Sequence, residues 1–217
     1  MIYGRSLSPV TLWKAPFFRC FAIIFHFEFI SLAIDPSAEV ICAGSRDPFE
    51  IYVWSLRTSQ LLDVLSGHEG PISSLAFSSQ GMLISGSWDE TVRIWDIFNK
   101  NTAVEACSQR SQVLCVAFRP DGKQFCAVSL GGEISFWDVE TGDQVGFIEA
   151  KEDVRGGRRK DDARDAMNST MNHLITSVCY SPDGTCIIAG GNTKYVVIYH
   201  VENKVLVRKW QVMLHFL

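Results

Sequence analysis

The sequence predicts an all-β chain of about four repeated units, each a four-stranded blade of a larger β-propeller. Three observations predict it. Apolar and polar residues alternate in short runs such as PISSLAF, MLISGS and TVRIWD, which is the period of a half-buried strand and not that of a helix. Trp95 follows Trp54 by 41 residues and Trp137 follows Trp95 by 42, a spacing in the range of propeller blades. Turn formers stand between the runs, and Arg119-Pro120-Asp121-Gly122 and Ser181-Pro182-Asp183-Gly184 supply dihedrals that few other residues tolerate.

Residues 1–28 precede the repeats and are crowded with phenylalanine. Lys14, Pro16, Arg19, His26 and Glu28 interrupt the run. Each central charge costs roughly 2.5–3.5 kcal/mol on insertion scales, so the stretch does not predict a spanning helix. It lacks the small-residue cleavage site of a secretory signal. Phe25, Phe27 and Phe29 alternate with His26 and Glu28, which predicts a strand at the edge of the first blade.

Four blades follow. The first, 29–66, has strands in EFISLAIDPS, EVICAGS, EIYVWSL and QLLDVLS. The second, 67–108, has PISSLAF, MLISGS, TVRIWD and TAVEAC. The third, 109–149, has QVLCVAF, KQFCAVSL, EISFWD and QVGFIE. The fourth, 171–210, has LITSVCY, TCIIAGG, YVVIYHV and VLVRKW, with Tyr199 where the others carry tryptophan. A tail, 211–217, ends the chain. Stacking of such units predicts core positions at Leu114, Val116, Phe118, Phe136, Ile175, Val178, Ile188, Val197 and Ile198.

Trp137 to Tyr199 is 62 residues, about twenty more than the period allows. The excess, 150–170, holds six basic and five acidic residues between Lys151 and Thr170 and no aromatic. Such a composition builds no core of its own and predicts a mobile loop. Because strands alternate direction, this loop leaves the same face as the turn holding Asp89. Its basic residues Arg155, Arg158, Arg159 and Lys160 are candidate contacts for RNA or an acidic partner.

The whole chain carries 20 basic and 24 acidic residues, a formal charge of -4. There is no global basic field of a nucleic-acid binder, so any RNA contact is local. Seven cysteines form no C-x-x-C pair and read as small apolar residues of a reducing compartment. The histidines are scattered, which predicts no metal site. No glycine-rich phosphate loop or nucleophile elbow occurs, which predicts no enzyme and no cofactor.

The stretch GHEGPISSLAFSSQGMLISGSWDETVRIWD resembles a complete WD repeat. In WD-repeat proteins the His of the Gly-His pair, a strand Ser, a turn Asp and the Trp form a hydrogen-bonded chain, here His68, Ser85, Asp89 and Trp95. The resemblance implies a structural network and not a His/Asp/Ser catalytic set, since the repeat accounts for every member. Blade three departs from it: Ala127 stands for the Ser, Gly131 for the Asp, and no Gly-His opens it. Blade four has no Gly-His either.

Further motifs narrow the resemblance. CAGS at 42–45, YVWSL at 52–56, LLDVLSGHEGPIS at 61–73, SWDETVRIWD at 87–96, FRPDGK at 118–123, GGRRK at 156–160 and VIYHV at 197–201 look like the periodic tryptophan protein 2 family of WD-repeat proteins. The family implies a scaffold of the small-subunit processome, nuclear and nucleolar, whose partners are other processome proteins, pre-ribosomal RNA and the small nucleolar RNA particle. It implies no membrane and no small-molecule substrate. Residues 1–28 and the closing MLHFL do not follow the family, whose members carry tandem propellers. The resemblance therefore implies a partial chain with two open, association-prone flanks. The alternative is another WD-repeat adaptor, such as a ubiquitin-ligase substrate receptor, because the fold does not choose among partners. The charged insertion favours the first reading.

Overall fold

Period-two patterning produces four antiparallel sheets, each a meander of consecutive strands. The computed structural model describes residues 28–98, 101–154 and 174–212. Blade 1 holds β1 (Phe29–Ile34), β2 (Val40–Ser45), β3 (Glu50–Ser55) and β4 (Leu61–Ser66). Blade 2 holds β5 (Ile72–Phe77), β6 (Leu83–Ser87), β7 (Thr91–Asp96) and β8 (Asn101–Ser108). Blade 3 holds β9 (Val113–Phe118), β10 (Gln124–Ser129), β11 (Glu133–Asp138) and β12 (Gln144–Glu149). A one-turn helix, α1 (Lys151–Val154), precedes blade 4, which holds β13 (Leu174–Tyr180), β14 (Cys186–Asn192), β15 (Tyr195–His200) and β16 (Val205–Gln211). The strand expected around Phe25 and Phe27 lies outside the described residues.

The tight turns obey the sequence. Gly122 and Gly184 sit at φ 73° and 71°, where an L side chain is strained, and donate N–H bonds of 2.9 Å to Arg119 O and Ser181 O. Asp121 Oδ1 accepts the Lys123 N–H at 3.0 Å, closing the turn from its side chain. Each blade also bulges between its third and fourth strands beside its aromatic: at Val53/Trp54, Ile94/Asp96, Phe136/Trp137 and Ile198/Tyr199. A bulge adds local twist, and its recurrence gives every blade the same shape.

First strands β1, β5, β9 and β13 lie side by side, and the blades stack face to face behind them. Three apolar seams result. Cys42, Ile51, Val53, Ile72, Leu83 and Trp95 fill the seam of blades 1 and 2. Ile84, Val92, Val113, Val116, Phe125 and Trp137 fill the second, with Phe125 and Trp137 stacked at 6.5 Å. Val128, Phe136, Ile175, Val178, Val197 and Tyr199 belong to the third. Blades 2, 3 and 4 turn their third-strand aromatic toward the blade before them, whereas Trp54 packs within blade 1.

Two expected core positions need correction. Ile188 is 36% exposed and Ile198 only half-buried, because both face away from blade 3, on a flank that no further blade of the described residues covers. Leu114 and Phe118 are also half-buried, whereas Val116, Phe136, Ile175, Val178 and Val197 are buried. Of the expected loop 150–170, residues 151–154 form α1, with Val154 1% exposed in the third seam, and 155–170 lie outside the described residues.

Candidate interaction surface and its polar links

His68, in the loop before β5, and Asp89, in the β6–β7 turn, lie at the same end of blade 2. The structure joins all four residues of the expected chain. His68 Nδ1 is 2.7 Å from Asp89 Oδ2, His68 Nε2 is 2.7 Å from Ser85 Oγ, and Trp95 Nε1–H donates to Ser85 Oγ at 2.8 Å. A carboxylate only accepts, so Nδ1 carries the proton toward Asp89. Ser85 then donates its hydroxyl to Nε2 and accepts the indole N–H, which gives every hydrogen an acceptor. Asp89 further accepts the Glu69 N–H at 3.0 Å, the Thr91 N–H at 2.9 Å and the Thr91 hydroxyl at 2.7 Å. Burial acts to raise its pKa, but the bonds from His68, Thr91 and the Glu69 N–H outweigh it and hold the carboxyl well below the usual carboxylate range.

The sequence of contacts Asp89–His68–Ser85 has the order of a hydrolase triad. Ser85 is fully buried and His68 is 8% exposed, so no substrate carbonyl can reach the hydroxyl. The arrangement instead pins the end of β6 to the loop entering β5.

The other blades fasten their aromatics differently. In blade 3, Trp137 Nε1–H donates at 2.9 Å to Ser135, two residues earlier on its own strand, and Ser135 donates at 2.7 Å to Gln109 Oε1. Gln109 occupies the place of the histidine. Its buried Nε2 has no acceptor among the described residues, as Gly131 stands where an aspartate would be. In blade 4, Tyr199 donates its hydroxyl at 2.8 Å to Asp153 Oδ2 of α1. Burial, and then the bond to Asp153, push the Tyr199 pKa up. In blade 1, Ala43 stands for Ser85, and the buried Trp54 Nε1 has no partner among the described residues. Composition and period do not point to Ser135, Gln109 or Asp153. A same-face Ser-x-Trp pair was the available signal for Ser135.

These links shape one face of the molecule. The turns at Asp89 and Gly131 and the loops between blades open on it, and α1 packs on β13 and β15 there. A shallow cavity of about 340 Å³ lies beside α1, bordered by Arg110, Ser129, Glu133, Glu149 and Lys151. Arg110 is paired with Glu133 at 3.2 Å and its guanidinium lies over the Phe147 ring at 4.8 Å, so the cavity is self-neutralised. Among the described residues no group of His, Cys, Asp and Glu could hold a metal. Arg155, Arg158, Arg159 and Lys160 lie outside the described residues.

Comparison with known proteins bears on the same architecture. The family model described as WD domain, G-beta repeat matches residues 59–96 and 167–200. The chain is 51% identical over 195 residues, 89% of its length, to the periodic tryptophan protein 2 homolog of Schizosaccharomyces pombe, of which it covers 23%. The chain belongs to the periodic tryptophan protein 2 family. It is 46% identical to the Saccharomyces cerevisiae member and 44% to the Mus musculus homolog, over 89% of the chain and 21% of each relative. It thus spans less than a quarter of the length of these relatives. A second family model, the anaphase-promoting complex subunit 4 WD40 domain, matches residues 91–156. In this chain the strands form the WD-repeat framework, and loops and strand edges are left at its surface.

Proposed function

We propose that this chain is a binding scaffold of ribosome biogenesis, acting in assembly of the small-subunit processome and in processing of small-subunit precursor RNA in the nucleolus. The observation that carries the reading is the identity of 44–51% over 89% of the chain with periodic tryptophan proteins from yeasts to mouse. The placement of α1 supports it: Tyr199–Asp153 and Val154 hold on the blade face the turn that directly precedes the basic residues in sequence. Blades act by holding partners, and the buried Ser85 argues against hydrolysis by the triad-like contacts.

The test is expression of the tagged chain in cells followed by sequencing of co-purified RNA. Enrichment of small-subunit precursor RNA is expected, with a loss of that RNA when Arg155, Arg158, Arg159 and Lys160 are replaced by glutamate at equal expression. Recovery with chaperones alone sinks the reading. A generic WD-repeat adaptor, such as a ubiquitin-ligase substrate receptor, is the second reading; the match of residues 91–156 to an anaphase-promoting complex subunit favours it. It predicts co-purified protein without enriched precursor RNA.

A further inference from the structure

Arg46, Trp88 and Leu130 hold one repeated position, the residue directly after the second strand of blades 1, 2 and 3. Each donates its N–H to the carbonyl just before its blade's first strand: Arg46 to Glu28 O at 2.7 Å, Trp88 to Pro71 O at 3.0 Å and Leu130 to Gln112 O at 2.8 Å. First strands lie side by side, so these residues form a row on the face that carries Asp89. Backbone bonds fix the row, yet it leaves apolar surface in water. Trp88 is 39% exposed and Leu130 37%, and Trp88 belongs to none of the apolar seams.

The surroundings of Trp88 are acidic. Glu90 lies two residues on, and Glu69 is held beside the same turn by its N–H bond to Asp89 Oδ2 at 3.0 Å. Asp47 occupies the corresponding turn of blade 1. All three carboxylates are exposed and have no ion-pair partner among the described residues. The cations of these two blades on this face do not neutralise them: Arg46 is paired with Glu28 at 3.2 Å, and Arg93 lies half-buried against Gly67. Glu90 adds a second kind of observation. It sits at φ 66°, where blade 3 has Gly132 at φ 83°, so the chain keeps a carboxylate at a position whose backbone favours glycine.

We propose that the Trp88–Leu130 row docks a basic, arginine-bearing segment of a partner protein. A guanidinium lies on the Trp88 ring between Glu69 and Glu90, and an apolar side chain of the same segment covers Leu130. The charge of the face selects the occupant. An indole face is the best aromatic seat for a cation, and unpaired carboxylates around it attract a basic segment and fix its register. The same carboxylates repel phosphates, so a nucleic-acid strand is disfavoured here even though a base could stack on the ring. The proposal deepens the scaffold reading, on which it rests, by naming the class of partner that one face takes.

Fluorescence anisotropy of a labelled synthetic peptide of repeated Arg-Leu-Gly, titrated with the full chain, tests this. Saturable binding is expected, weakened by added salt. Trp88→Ala and Glu90→Gly are each expected to weaken it about tenfold. Glu140→Gln together with Asp143→Asn, at exposed carboxylates of the β11–β12 turn on the opposite end, should leave it unchanged. Glu90→Gly relieves a left-handed backbone, so its thermal midpoint is expected at or above that of the wild type, and its loss of binding then cannot come from unfolding. No saturable binding, or equal loss from changes at either end, overturns the proposal. So does tighter, Trp88-dependent binding of a single-stranded oligouridine, which would give the face to RNA. The assay contains no cellular RNA or processome component, so its failure leaves the co-purification test of the scaffold reading untouched.

Discussion

Trp95, Trp137 and Tyr199 are three answers to one problem, an amphipathic ring whose polar atom is carried into an apolar seam. Blade 2 solves it most fully, and Ser85 is the hub. Ser85→Ala would strand the Trp95 N–H and His68 Nε2 in a buried site, a loss of about 2–4 kcal/mol on the scale of unsatisfied groups. Urea unfolding reads it as a lower midpoint with unchanged slope; a change below about 0.5 kcal/mol would refute the hub role. Asp89 makes the link pH-dependent. Its folded pKa lies below the unfolded value of about 3.9, so its contribution is complete above that value and is lost as pH falls toward the folded one. The stability gap between the wild type and Asp89→Asn is therefore expected to be widest near neutrality and to narrow below about pH 4. A gap that stays constant down to pH 2 contradicts the assigned ionisation.

At the scale of the element, α1 matters beyond its length. A four-residue helix has no stability of its own, so Val154 in the seam and Asp153 under Tyr199 must hold it. Tyr199→Phe removes the bond while keeping the ring. The loss is about 0.5–1.5 kcal/mol, and hydrogen exchange should speed up at the Asp153 and Val154 amides, which bond Ala150 O at 3.1 and 3.2 Å, while β13 to β15 stay protected. Equal exchange in both proteins would show that Val154 alone suffices. Strands were legible in the sequence because alternation is local, and His68 because Gly-His and Trp-Asp are fixed marks. Asp153 was not, since it meets Tyr199 across 46 residues of sequence. Ile188 looked like core because its strand alternates correctly; which face has a neighbour is a property of blade number, absent from any one strand.

For the whole molecule, contacts run from blade to blade, so stability is close to a sum of seams. Ile72→Ala, at a fully buried side chain in the first seam, should cost about 2–5 kcal/mol. Blade 1 should lose exchange protection first while blades 3 and 4 keep theirs. Uniform loss across all sixteen strands would mean a cooperativity that the stacked seams do not explain. The placement of the aromatics turns this into optics. Trp95 lies in the first seam, Trp137 in the second and Tyr199 in the third, each looking back at the preceding blade. With the other tryptophans replaced, Trp95 and Trp137 become fluorophores assigned to the first and second joints, and Tyr199→Trp places one in the third. The order in which emission shifts to the red would then give the order in which the joints admit water.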